Sequence, residues 1–185
     1  MLRSLGIDLA GEEKNRTGIC ILDNNVTKTF ILHTDKEIIE CAKATKPDII
    51  AIDAPFLLKP KIRACDRELK KYGALAPTMK SMHALSKRGY LLAKHLKKLN
   101  FKVIEVFPTA SAKILGIYDR DLGVGERKLK TLKLRLANRI TTRHELDALI
   151  SAYTGSLYLR SLTENIGDEK EGVIVVPKAS VPLQS

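Results

Sequence analysis

Four carboxylates stand in stretches that otherwise read as protein core: Asp8 in GIDLAG, Asp53 in DIIAIDA, Glu105 in KVIEVF and Asp147 in HELDALISAY. A carboxylate withdrawn from water costs several kcal/mol unless it is paired, hydrogen-bonded or bound to a cation. The four lie 45, 52 and 42 residues apart, each on its own element, so only the fold can bring them together. Their oxygens are hard ligands, and no Cys or His grouping with zinc-type spacing accompanies them, which points to Mg²⁺ or Mn²⁺. Two such ions about 4 Å apart can activate a water and stabilise the departing oxygen in phosphodiester hydrolysis. Each acid also has a plainer reading. Asp8 could accept bonds from loop amides, Glu105 could face solvent on an edge strand, and Asp147 could serve as a dipole partner in the first turn of a helix.

The elements that must position them follow from periodicity. Leu2–Ala10, Thr17–Leu22 and Val26–His33 alternate like strands, with Asp23-Asn24-Asn25 as the turn between the last two, and three sequential strands pair antiparallel. In the first, Leu5, Ile7 and Leu9 face one way while Gly6, Asp8 and Ala10 face the other, so Asp8 shares its face with small residues only. The spacing predicts a helix over Asp35–Thr45, stopped by Pro47-Asp48. Asp48–Ala54 reads as a central strand covered on both faces and parallel to the first. Asp53 stands at its C-terminal end, where ligand sites gather in such sheets. A helix over Ala64–Tyr72, a loop at Gly73–Thr78, a helix over Ser81–Leu99 and a fifth strand, Lys102–Phe107, follow. Thr109 is placed to cap a short helix to Leu115, and Gly116–Gly125 reads as a loop leading into a helix over Glu126–Asn138. Thr142, with Glu145 three residues on, predicts a capping box opening a last helix through Leu162. There Leu146, Leu149, Ile150, Tyr153 and Leu157 make a core stripe. Beside it, His144, Asp147, Ala148, Ser151, Thr154 and Gly155 make a stripe of small and polar residues that would let the helix lie close to the sheet, with His144 beside Asp147. The tail NIGDEKEGVIVVP reads as a tight turn plus a short edge strand. The expectation is one α/β domain over residues 1–185: a five-stranded mixed sheet, helices on both faces, and a short C-terminal strand.

The formal net charge is +11. Twelve basic residues against two acidic ones lie between Lys59 and Lys98, and seven against none between Arg127 and Arg143. Such runs are commonly solvated helix faces. Flanking candidate catalytic acids, they point to a nucleic acid partner, DNA or RNA, because Lys and Arg that neutralise phosphates release counterions. Lys59, Lys61 and Arg67 are the substrate contacts expected in the first run. Aromatic residues make up 5% of the chain, with no Trp, so no base-stacking platform is evident. Cys20, Cys41 and Cys65 are scattered and suit neither a disulfide framework nor a zinc site. No apolar run is long enough for a membrane helix and no leader pattern opens the chain, so a soluble cytoplasmic protein is expected. Neither GxGxxG nor GxxxxGK[ST] occurs, so a dinucleotide or P-loop site has no support.

Taken in order, GIDLAG, IAIDAPF, RACDRELKKYG, EVFPTAS, HELDALISAYTG and EGVIVVP resemble a family of uncharacterised proteins described as predicted nucleases with a ribonuclease H-like fold. The resemblance implies three antiparallel strands followed by two parallel ones, with acids on the first strand, the fourth strand and the last helix. Asp8, Asp53 and Asp147 fall on those positions, and Asp147-Ala148 looks like the helix motif of Holliday-junction resolvases. Glu105 lies in the EVFP motif, where ribonuclease H itself differs. Arg63 and Asp66, within RACDREL, match a motif for which a substrate or phosphate contact is implied; an ion pair or a helix cap is the alternative. The activity so implied is metal-dependent hydrolysis of nucleic acid. Two other readings stand beside it. One is a non-catalytic nucleic-acid-binding protein on the same fold. The other is an actin-like phosphotransferase or ATPase, whose first phosphate loop GIDLAG also resembles but which needs a second domain of comparable size.

Overall fold

The structure is a computed structural model and describes residues 2–181. Strand β1 (Arg3–Asp8) is the centre of the sheet. It pairs antiparallel with β2 (Thr17–Asp23), which pairs antiparallel with β3 (Val26–Leu32). Helix α1 (Asp35–Thr45) opens with a capping box between Thr34 and Glu37 and carries the chain back to β4 (Ile49–Asp53), parallel to β1. A short helix α2 (Ala64–Glu68) with a 3₁₀ turn, then the long α3 (Lys80–Lys98), lead to β5 (Val103–Glu105), parallel to β4. Helix α4 (Pro108–Ile114) starts with proline at its first position, where the missing N–H leaves nothing unsatisfied; Phe107, not Thr109, occupies the cap.

The sheet has six strands, one more than expected. In place of one helix over Glu126–Asn138, α5 spans Leu122–Lys128, a 3₁₀ turn follows, and β6 (Arg135–Leu136) pairs parallel with β3. Asp121 caps α5 by accepting from the Val124 N–H, and Lys133 at φ 51° ends the turn. Leu132, Leu134 and Leu136 all pack into one core cluster; their two-residue spacing is a strand signal. Helix α6 (Arg143–Leu159) begins at the expected capping box of Thr142 and Glu145 and ends before Leu162. The tail makes a hairpin, β7 (Thr163–Asp168) and β8 (Gly172–Pro177), as a separate two-stranded sheet. A single parallel bridge, Val106 to Val175, ties it to the edge beyond β5.

Helices cover both faces of the main sheet. Leu5, Ile7, Leu9, Ile50 and Ile52 pack against Ile38 and Ala42 of α1 and Leu92 and Leu96 of α3. On the other face lies α6, so close that two strand glycines are required. A Cβ added at Gly6 would sit 2.0 Å from the Ala148 carbonyl oxygen, and one at Gly18 2.0 Å from that of His144. The Ser4 hydroxyl donates to the Ala152 carbonyl at 2.6 Å on the same seam. Among the described residues no helix is long and apolar enough to cross a membrane.

Candidate functional site

The β1–β4 pairing sets Asp8 directly beside Asp53 at the C-terminal ends of both strands. Side chains opposite one another in a parallel pair share a face, so the two carboxylates point to the side that α6 covers. Gly18, the β2 partner of Asp8, lets the first turn of α6 descend onto them. That turn carries His144 and Asp147. The His144 Nδ1 lies 2.6 Å from Asp8 Oδ2. Asp147 Oδ2 accepts from Arg143 Nε at 3.2 Å. Its other oxygen, Oδ1, is buried without a hydrogen-bond partner. Three of the four sequence-predicted acids, from elements far apart in the chain, therefore crowd one cleft.

The crowding shifts their proton affinities. Burial pushes Asp53 well above the ordinary carboxylate range, and the negative charges of Asp8, Asp147 and Glu105 add to the effect. Asp53 keeps a small exposed surface but is otherwise enclosed. Burial likewise raises Asp147 to about 6; Arg143 pulls it down and Asp8 pushes it up. The hydrogen bond to Asp8 raises His144 above its usual value.

Glu105 is placed differently. It lies opposite Ile52, one residue short of Asp53, so alternation turns it to the far face of the sheet. There it accepts from the Phe56 backbone N–H at 2.9 Å and from Arg63 Nη1 and Nη2 at 2.9 and 2.6 Å. Arg63, 1% exposed, completes its set with Asp66, donating from Nε and Nη2 at 3.1 and 3.0 Å. The Arg63 backbone N–H also reaches Asp66 Oδ2 at 2.8 Å, capping α2. Arg63, Asp66 and Glu105 thus form a buried ionic brace that holds the turn after Asp53, with their charges directed at one another rather than at solvent. Lys59, Lys61 and Arg67 are exposed, Arg67 lying 3.9 Å from Glu171.

Two residues that sequence reasoning passed over shape the site. Arg143 faces Asp147 one turn later, an i, i+4 pairing readable from the spacing. Arg88, taken above as part of a basic run, is buried: it donates to Asp35, to the Ala10 carbonyl and to the His33 carbonyl at 2.7–2.8 Å, fixing the loop that leaves Asp8. Beside Asp53 a cavity of about 290 Å³ opens, walled by Pro55, Met82, Leu85, Phe107 and Thr109.

Among the described residues, no three His, Cys, Asp or Glu side chains are already arranged as an ion cage; His144 and Arg143 hold Asp8 and Asp147 instead. The donor chemistry nevertheless fits a hard divalent cation. Three carboxylates converge, two of them raised by burial and by one another, and one presents a buried oxygen that no protein group satisfies.

The family model described as "Protein of unknown function (DUF429)" matches residues 6–100, a span that includes GIDLAG, IAIDAPF and RACDRELKKYG. A search of curated proteins finds no match. Among solved structures, RuvC of T. thermophilus in complex with a Holliday junction substrate superposes with a TM-score of 0.53 at 15% identity, over 87% of this chain and 96% of that one. A second Thermus thermophilus RuvC structure gives a TM-score of 0.48 at 15% identity, over 86% and 96%. The first likeness identifies the architecture as that of the RuvC type, an α/β fold built on a mixed sheet.

Proposed function

The chain belongs to the family described as "Protein of unknown function (DUF429)", and we propose that it is a metal-dependent nuclease hydrolysing phosphodiester bonds of nucleic acid. The observation that carries this reading is the buried, partnerless Asp147 Oδ1 in the same cleft as the paired carboxylates Asp8 and Asp53. Asp8, Asp53 and Asp147 would hold Mg²⁺ or Mn²⁺. A divalent ion bound there supplies Lewis-acid stabilisation of phosphoryl charge and lowers the pKa of water, in a two-metal site on both sides of the bond that breaks.

The chain's own residues supply the rest. Burial of Asp53 and Asp147 keeps solvent from screening their charge and ties their ionised form to a nearby cation. His144 commits Nδ1 to Asp8, a bond that raises its pKa, which leaves Nε2 to exchange a proton with substrate. Exposed Lys59, Lys61 and Arg67 offer positive charge to a phosphate backbone. Arg63, Asp66 and Glu105 act behind the site, fixing the chain that follows Asp53. The RuvC likeness rests on 15% identity and makes branched DNA one substrate to include in a panel.

A second reading, nucleic-acid binding without catalysis, draws on the pairing of Asp8 with His144 and Asp147 with Arg143, which already offsets part of the cluster's charge. Calorimetric titration with Mn²⁺, alongside cleavage assays on single-stranded, duplex, hybrid and branched substrates, separates the two. The nuclease reading requires saturable binding lost in Asp53→Asn and metal-dependent product from at least one substrate. Binding unchanged in that variant, with no product from any substrate, supports the second.

A further inference from the structure

A groove of about 840 Å³ runs along the free edge of β5, between the C-terminal half of α3 and the β7–β8 hairpin. Three of the chain's nine aromatic side chains meet there: Phe56, Tyr90 and Tyr158. A lysine ammonium stands over each ring, Lys97 at 5.7 Å from Phe56, Lys94 at 5.9 Å from Tyr90 and Lys102 at 4.7 Å from Tyr158. Tyr90, Lys94, Lys97 and Lys98 share one face of α3, because residues three and four apart on a helix are neighbours. All four lysines are exposed and the three rings are half-buried. The acids in the wall do not offset this charge: Glu105 is already bound by Arg63, which leaves Glu169 alone against Lys94, Lys97 and Lys98.

We propose that this groove binds single-stranded nucleic acid, the flexible lysines moving from the ring faces to phosphates as unpaired bases stack on the rings. Cationic charge alternating with half-buried aromatic faces is the combination that sequence-tolerant single-strand binding uses. A duplex keeps its base faces inside the stack, so it could offer the groove only its phosphates. The groove and the cavity beside Asp53 share the Arg63–Glu105 pair as part of their walls. The inference rests on the nucleic-acid reading above and gives its substrate a single-stranded segment.

The test uses the full chain in EDTA, with a fluorescein-labelled 16-mer of thymidylate followed by fluorescence anisotropy at several salt concentrations. Each lost phosphate contact on a single strand lowers the log–log salt slope by about 0.7, so K94A/K97A/K98A flattens it by about 2 and weakens binding about 50-fold at 0.15 M salt. Y90L/Y158L loses about tenfold or more while keeping the salt slope, whereas Tyr158→Phe, which preserves the ring, binds like the parent. Replacing thymine with 5-iodouracil and irradiating should cross-link the strand to the peptides bearing Tyr90 or Tyr158. Parental affinity in the folded triple-lysine variant overturns the proposal, as does polyglutamate of equal charge binding with the same lysine dependence, which would mark an acidic protein as the partner. Asp53→Asn keeps oligonucleotide binding if the groove is a separate site, so failure of cleavage and failure of the groove are read independently.

Discussion

Replacing Asp147 with asparagine tests the crowded-cleft account through stability alone. Burial, less the pull of Arg143, raises this carboxyl from 3.8 to about 6. The folded state therefore holds the Asp147 proton more tightly than the unfolded chain does. Stability falls as pH rises from the ordinary value toward about 6, and stays lower above it. At about 1.36 kcal/mol per tenfold change, the cost at pH 8 is about 3 kcal/mol, against about 0.5 kcal/mol at pH 4. Solvent reaches 18% of the side chain, which trims the first figure to about 2–3 kcal/mol. The shift already contains the favourable effect of Arg143, so the loss of that ion pair is included. Asp147→Asn, of equal size and unable to ionise, should thus be about 2–3 kcal/mol more stable than the parent at pH 8, or about 5–10 °C in Tm, and nearly unchanged at pH 4. Urea unfolding at the two pH values measures both. A variant less stable than the parent at pH 8, or shifted equally at both, refutes the reasoning.

Four further outcomes follow from the geometry. Mn²⁺ at a hundredfold excess over its Kd should stabilise the parent by about 2.7 kcal/mol in a thermal scan and leave Asp53→Asn unmoved. In an NMR titration His144 should titrate above its usual value in the parent and return toward it in Asp8→Asn, because the hydrogen bond to Asp8 is the first cause of its shift. Gly6→Ala drives a methyl into the Ala148 carbonyl and should cost about 3 kcal/mol, or prevent folding, as read by urea unfolding. Glu105→Gln leaves the buried Arg63 with one carboxylate where it had two and should cost about 3 kcal/mol or more in the same assay; a neutral result would mean that the brace carries no energy.

The parts of the site that sequence exposed were those governed by short, regular rules. Alternation in GIDLAG put Asp8 on the small-residue face, the parallel reading of DIIAIDA put Asp53 at the matching strand end, and the observed register sets them side by side. The Thr142–Glu145 capping box fixed where the last helix starts, and its small residues announced the close approach seen at Gly6 and Gly18. What stayed hidden depended on long-range partners. The register that sets Glu105 opposite Ile52, and so commits it to Arg63, is decided by how β5 slides along β4, which no local pattern encodes. Arg88 read as surface charge until the fold buried it against a carboxylate and two carbonyls, whereas the ion-pair and helix-cap alternative for Arg63 and Asp66 is the arrangement found. The alternation of Leu132, Leu134 and Leu136 was legible but lost to the helical reading of a lysine-rich stretch. The aromatic groove draws on Phe56, Tyr90 and Tyr158, 34 and 68 residues apart, and low aromatic content concealed their convergence.

The central claim is that Asp8, Asp53 and Asp147 together make a site for a divalent ion. Crystals of the protein soaked in Mn²⁺ test it most directly through anomalous scattering. The account predicts a peak bounded by the three carboxylates, with Asp147 Oδ1 among its ligands. Density without such a peak at millimolar Mn²⁺, with Asp8 still on His144 and Asp147 still on Arg143, would contradict it.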